Sequence, residues 1–387
     1  MPRQEVEETM CNSTKDKSSK SDGVEKSKYK VISTNQDAGI IPTLAVTLWL
    51  GWMSILIYTT IFLLFFASTN TIMICLTICI LSILLPRDFP YSLGTRIGNC
   101  IMLQAEKYFG LTTTIEDYEA LELYASQNKA LIFAIEPHDV LPYSVFAFNP
   151  CLKRLPGHVG EKNAGLMTSA VFNIPIIKVS YLNFLSRLFC LFTFVNVGHS
   201  SNPCYMLSFP KIQQQVYSWV GGQPVDRKTF KARLQRSESL AFVPGGVQEV
   251  TLMDPAKPDD ILMYLRSRKG FIKMALQHGS PIVPVFVFHL DGSYNYWLPR
   301  GRLLAQVSRK IGFVPLFFTG RFGIPFFIPK PKKLHVVCGK PIEVPLEEEV
   351  SPESVDKYHS IFLQEFTALY DRHKHDAGYS KRKLVIV

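Results

Sequence analysis

Residues 130–142 read ALIFAIEPHDVLP. The first six are apolar and end abruptly at Glu136, the pattern of a short strand buried on both faces. His138 follows at once, between Pro137 and Pro142. A polar turn just past a buried strand is where open α/β folds collect ligands. Imidazole is also the natural proton acceptor near neutral pH. A structural histidine, hydrogen-bonded at a turn, fits the same residues, and spacing alone does not separate the two.

The pattern of residues 130–135 recurs at Leu240–Val243, Pro281–Phe288 and Leu334–Cys338. Between these runs lie helix-like stretches at Ile115–Asn128, at Met263–His278 (stopped by Gly279) and at Ser351–His373. In the last, Ser351 is placed to cap, Pro352 takes the first turn, and Val355, Tyr358, Phe362, Phe366 and Leu369 share one face. Strands alternating with helices predict an α/β domain with a mixed sheet over residues 87–387.

A second strand ends in FVPGGVQE, residues 242–249. Gly245 and Gly246 let backbone N–H groups approach a ligand, and Glu249 follows within reach. An ordinary tight turn reads the same way. A third block, RSRKGFIKMAL at 266–276, puts Arg266, Lys269 and Lys273 within about 60° of one another if helical. Such a stripe binds phosphate groups or is simply the solvated face of an amphipathic helix.

The chain carries 42 Lys/Arg against 32 Asp/Glu, a net +10. Residues 1–37 balance at seven of each sign, so the whole excess lies C-terminal to them. A basic domain suits anionic lipid or phosphate-bearing ligands. Nucleic acid is disfavoured, because no zinc-finger, RNA-recognition or helix-turn-helix signature accompanies the charge. The eight cysteines form no CxxC and no framework, which points to a reducing, cytosol-facing domain.

Residues 1–38 are polar and read as a disordered tail. From Gly39 to Pro86 there is no charged residue. Residues 40–86 as one helix would stretch to about 70 Å, against a bilayer core of about 30 Å. The run therefore predicts a membrane hairpin of two helices at 39–86, with spans near 43–66 and 71–86. Ser68, Thr69, Asn70 and Thr71 would form its turn. Basic residues on both flanks put those flanks in the cytosol.

The stretches EPHDVLP (136–142), MTSAVFNIP (167–175), FVPGGVQE (242–249), RKGFIKMALQHGSPIVPVFVF (268–288), GRFGIP (320–325) and GKPIEVP (339–345) resemble, in order and spacing, the type-2 diacylglycerol acyltransferase family. The plant and algal branch is the nearer likeness, over roughly residues 40–387. The resemblance implies an integral enzyme of the endoplasmic reticulum membrane that also reaches lipid droplets and makes triacylglycerol. It implies acyl-CoA as co-substrate, diacylglycerol as acceptor, membrane lipid as surroundings, and neither cofactor nor metal. A homo-oligomeric state stays open. His138 stands at the family's catalytic histidine and Glu249 at its active-site carboxylate. Glu136, Pro137, Gly245, Gly246, Arg266, Lys269 and Lys273 become candidate substrate contacts, the three cations toward the phosphates of coenzyme A.

Two departures matter. Phospholipid acyltransferases carry His-x4-Asp and an arginine in the glycine block to grip glycerol phosphate. Here Tyr143 stands five after His138 and the glycine block has no cation, which favours a neutral hydroxyl acceptor. The family also runs directly from a segment like that ending at Lys178 into one like that beginning at Gln215. Residues 179–214 intervene, either as a membrane-contacting insertion or as a retained intron. A whole-codon length favours the intron. No GxSxG elbow supports a serine hydrolase. A membrane lipid-binding protein without turnover, and a monoacylglycerol or fatty-alcohol (wax) acyltransferase, are the other readings.

Overall fold

The computed structural model describes residues 29–68, 70–71, 74, 91–167, 216–253, 259–298, 306, 314 and 316–387. In chain order its strands are β1 (Lys30–Ser33), β2 (Thr112–Ile115), β3 (Ile132–Glu136), β4 (Asn163–Met167), β5 (Gly222–Pro224), β6 (Ser239–Phe242), β7 (Asp260–Met263), β8 (Ile282–Phe288), β9 (Asn295–Trp297), β10 (Phe317–Thr319), β11 (His335–Cys338) and β12 (Lys383–Ile386). The helices are α1 (Ile40–Leu50), α2 (Trp52–Phe66), α3 (Tyr91–Phe109), α4 (Tyr118–Ser126), α5 (Tyr143–Leu152), α6 (Gly157–Glu161), α7 (Arg227–Gln235), α8 (Val247–Leu252), α9 (Gly270–His278) and α10 (Pro352–His373).

Eight strands form one sheet in the order β1-β2-β11-β8-β3-β6-β4-β5. The β1–β2 and β11–β8 pairs are antiparallel and the rest parallel, so the expected mixed sheet is present. All four apolar runs became its inner strands. Their side chains alternate between two cores. Phe133, Ile135 and Val285 pack with α1, α3 and α5 on one face. Ile132, Ala134 and Phe286 pack with α9 and α10 on the other. Helix α10 follows the sequence closely. Ser351 Oγ accepts the Ser354 N–H at 3.1 Å, and Phe362, Phe366 and Leu369 are buried.

Three expectations change. Residues 30–33 lie not in a disordered tail but in an edge strand on β2, because Val31 and Ile32 suit a pleated surface. Residues 1–28 lie outside the described residues. The Ile115–Asn128 helix starts only after Asp117, whose carboxylate caps the Ala120 N–H at 2.9 Å. The β-branched residues before it belong to β2. In Met263–His278 only Gly270–His278 is helical. Met263 ends a strand paired in parallel with β12, a long-range partner that overrides the local periodicity.

The first expected membrane span is broken in two. Helices α1 and α2 meet at Gly51 with a bend of 78°. Their 11 and 15 residues extend about 16 and 22 Å, each short of a bilayer core. No single helix among the described residues is long and apolar enough to cross a membrane. The bend is anchored from the domain. Trp49 is buried against Phe146, and Ser54 Oγ donates to the Phe326 carbonyl at 2.6 Å. Arg321 donates to Thr43 Oγ1 at 2.7 Å and to the Ala38 carbonyl at 2.9 Å. GRFGIP thus serves as the clamp on α1. The second span, at 71–86, and the 179–214 segment lie outside the described residues apart from Thr71 and Ile74.

Candidate active site

Strands β3 and β6 are parallel neighbours, with Ile132 beside Leu240 and Ala134 beside Phe242. Their C-terminal ends therefore emerge side by side, and EPHDV meets VPGGVQE. The two turns hold each other by reciprocal carboxyl contacts. Glu136, the last residue of β3, accepts the Gly245 N–H at 2.7 Å. Glu249, on α8, accepts the His138 N–H at 2.9 Å through Oε2 and the Tyr264 N–H at 2.9 Å through Oε1. All of this is buried: Glu136 is 0 %, Glu249 2 % and His138 5 % exposed.

The His138 ring takes its orientation from its own neighbour. Nδ1 lies 2.9 Å from the Asp139 carbonyl. That contact places the ring proton on Nδ1 and leaves the Nε2 lone pair for a substrate proton. Asp139 has φ 57°, in the left-handed region that Asp tolerates better than most residues. This explains why a small polar residue suits the position. Glu249, placed by the resemblance at the active-site carboxylate, therefore makes no hydrogen bond to the imidazole. It fixes the main chain on which the imidazole sits.

Burial pushes the His138 ring down to about 4, so it is neutral at physiological pH. Burial, then the charge of Glu249, pushes Glu136 well above the carboxylate range. Burial raises Glu249 too, but two backbone N–H groups favour its ionised form. Glu136 is thus the protonated partner. Its Oε2 has no hydrogen-bond partner among the described residues, and a proton on this carboxyl relieves the repulsion between the two neighbouring acids. Burial also lifts Asp139 to about 7.

Gly245 is needed for the carboxylate, not for a ligand. A Cβ there would lie 2.0 Å from Glu249 Oε1. With its N–H given to Glu136, Gly245 has no N–H left to approach a ligand, and Glu136, fully buried, is removed as a direct substrate contact. Gly246, at φ 59°, has nothing within 4 Å of the position a Cβ would take, and stays a candidate substrate contact. Pro137 is half-buried between Glu136 and His138.

The basic stripe is only partly assembled. Arg266 precedes α9 and donates through Nε to the Ile386 carbonyl at 3.0 Å. Lys269 caps α9 and pairs with Asp356 at 2.6 Å, and Lys273 is exposed on the helix. Sequence reasoning passed over Arg268. Its Nη2 donates to the Gly245 carbonyl at 3.1 Å and its guanidinium lies over the Tyr264 ring at 5.0 Å. The glycine turn, read as carrying no cation, thus receives one from 23 residues away. The signal available was the density of cations in RSRK, which did not say which one turns inward. Val140, Val250, Tyr294 and Phe318 close over both turns as a third apolar cluster, with Met53 of α2 packed against it.

Residues 205–387 match the family model for diacylglycerol acyltransferase. The match opens inside the 179–214 segment and leaves out EPHDVLP, so His138 rests on the structure and on the motif. Human diacylglycerol O-acyltransferase 2 is 29% identical over 184 residues, 42% of this chain and 45% of that protein. The Dictyostelium discoideum diacylglycerol O-acyltransferase 2 is 34% identical over 149 residues, 36% and 44% respectively. Bos taurus 2-acylglycerol O-acyltransferase 1 is 33% identical over 156 residues, 38% and 45%. The chain spans just under half the length of these curated relatives. A solved 1-acyl-sn-glycerophosphate acyltransferase from Thermotoga maritima aligns over 86% of this chain at 11% identity, with a TM-score of 0.36. The fold is read from the sheet order alone.

The sequence match puts the C-terminal part of the chain among the acyltransferases. Within that class, the match of residues 205–387 is to the diacylglycerol acyltransferase family.

Proposed function

We propose that the protein transfers a fatty acyl group from acyl-CoA to the free hydroxyl of diacylglycerol, giving triacylglycerol. The observation that carries the reading is the buried, neutral His138, held at the strand ends by Glu249 and with Nε2 unengaged by the contacts that orient its ring. Nε2 takes the hydroxyl proton as the acceptor oxygen attacks the thioester carbonyl. The new C–O bond forms, the C–S bond breaks, and the imidazolium returns its proton to the departing thiolate. The Gly246 N–H is the backbone donor assigned to the oxyanion, a contact worth about 3 kcal/mol in such sites. Coenzyme A is a co-substrate, and its phosphates are assigned to Lys269 and Lys273.

Matched relatives named for diacylglycerol acylation support the acceptor. The 2-acylglycerol O-acyltransferase relative supports a second reading, with monoacylglycerol as acceptor. The charge-free run at 39–86 supports membrane attachment by more than one segment with cytosolic flanks, and the family resemblance assigns that membrane to the endoplasmic reticulum with access to lipid droplets. The test is product formation from labelled acyl-CoA in triacylglycerol-deficient membranes, with mono- and diacylglycerol compared. Product from neither would reject the reading, and product from monoacylglycerol alone would select the second.

A further inference from the structure

The ribbon of β9 and β10 has two unlike faces. Tyr296 and Phe318, paired across it, point into the apolar cluster over the catalytic turns. Trp297 and Phe317, the next pair, point outward and are 65 % and 44 % exposed. Two large aromatics side by side in water are unfavourable, and the alternation turns both away from the inner cluster, leaving Phe317 one edge contact and most of Trp297 uncovered.

The ribbon adjoins the charge-free helices. Phe317 packs edge-on against Phe326 at 5.3 Å, and the Phe326 carbonyl holds Ser54 of α2. Phe322, 72 % exposed, follows Arg321, the clamp on α1. Beyond these contacts α2 presents Phe62, Phe65 and Phe66 outward. Phe326 N–H in turn donates to the Phe318 carbonyl of β10 at 2.9 Å, so one turn ties the ribbon to α2 and their exposed aromatics stand on neighbouring elements. Lys330 sits at the rim, bonded to Asn295 of β9 at 2.8 Å. Exposed Trp and Phe with a flanking cation suit the boundary of acyl chains and head groups.

We propose that Trp297, Phe317 and Phe322 rest in the phospholipid bilayer as a second membrane contact, laying the catalytic turns against the surface. The proposal rests on the membrane-bound reading above. The inner face of the same ribbon packs with Val140 and Val250, beside His138 and Glu249, so lipid contact on one side lies one layer from the site on the other.

The test is site-specific photo-crosslinking in membranes, with benzoylphenylalanine introduced singly at Trp297, Phe317 and Phe322. Phe65 on α2 is the positive control. Leu346, 70 % exposed beside Gly279 in the other core, is the control outside this face. Lipid adducts at the three positions at a yield at least severalfold above that at Leu346 are expected. Yields no higher than at Leu346, with Phe65 still labelled, would overturn the inference and leave the membrane reading standing. Adducts to a second protein chain in place of lipid would overturn it equally. An unlabelled Phe65 would instead reject the membrane reading itself, and this inference with it.

Discussion

The carboxylate of Glu249 accepts the main-chain N–H of His138 at 2.9 Å, across 111 residues of chain. Glu249 therefore positions the histidine through its backbone, and the consequences differ from those of a triad acid. Glu249→Ala orphans two buried N–H groups, each costing about 1–3 kcal/mol. A lowered unfolding temperature in detergent is expected alongside reduced turnover. Glu249→Ala should still retain more activity than His138→Ala, because its loss displaces the base without deleting it. Unchanged stability with lost activity would instead point to direct ring chemistry.

Glu136 is read as protonated, so Gln is its isostere. In Glu136→Gln the amide oxygen still accepts from Gly245 and the NH2 donates to Glu249. Activity and melting temperature near wild type are expected, while Glu136→Ala should lose about 1–3 kcal/mol of stability. Equal damage from both variants, measured by thermal unfolding, would mean that Glu136 is ionised.

The pH profile follows from burial of the imidazole. The folded-state value for His138 is about 4, below its usual 6.5. Neutral imidazole is thus favoured by folding. That stability is present above about 6.5 and is lost as pH falls toward 4. The acid limb of kcat/KM assigned to His138 should accordingly lie well below 6. A limb at 6.5–7 in membranes of fixed lipid composition would show a solvated ring.

Lys269 and Lys273 are assigned to coenzyme A. The Lys269–Asp356 pair is exposed, worth about 0–1 kcal/mol, and yields readily to a phosphate. Replacing both lysines with Gln should raise KM for acyl-CoA several-fold with kcat nearly unchanged, since phosphate contacts are shared by ground and transition states. A fall in kcat alone, in initial-rate kinetics, would detach this helix from the substrate.

The inner strands, α10 and the pairing of the two turns were legible because burial on both faces writes a short apolar run, and because capping residues mark helix ends. What decided the site was not legible. Whether a glutamate reaches a ring or a backbone N–H depends on β3 lying beside β6, and no local pattern states that. Arg268 differs from Arg266 and Lys269 only in the direction the turn sends it. The break at Gly51 escaped notice because hydropathy registers the apolar content of residues 40–66 and not their path. The clamp on that path, Arg321, lies 278 residues away from Thr43.

The most direct measurement compares wild type with His138→Ala for labelled triacylglycerol formed from acyl-CoA and diacylglycerol, at equal membrane-bound protein and equal melting temperature. A loss of about 10²–10⁴-fold is expected for removal of the general base. Near-normal turnover in the alanine variant would contradict the assignment of His138, and with it the proposed chemistry of the two turns.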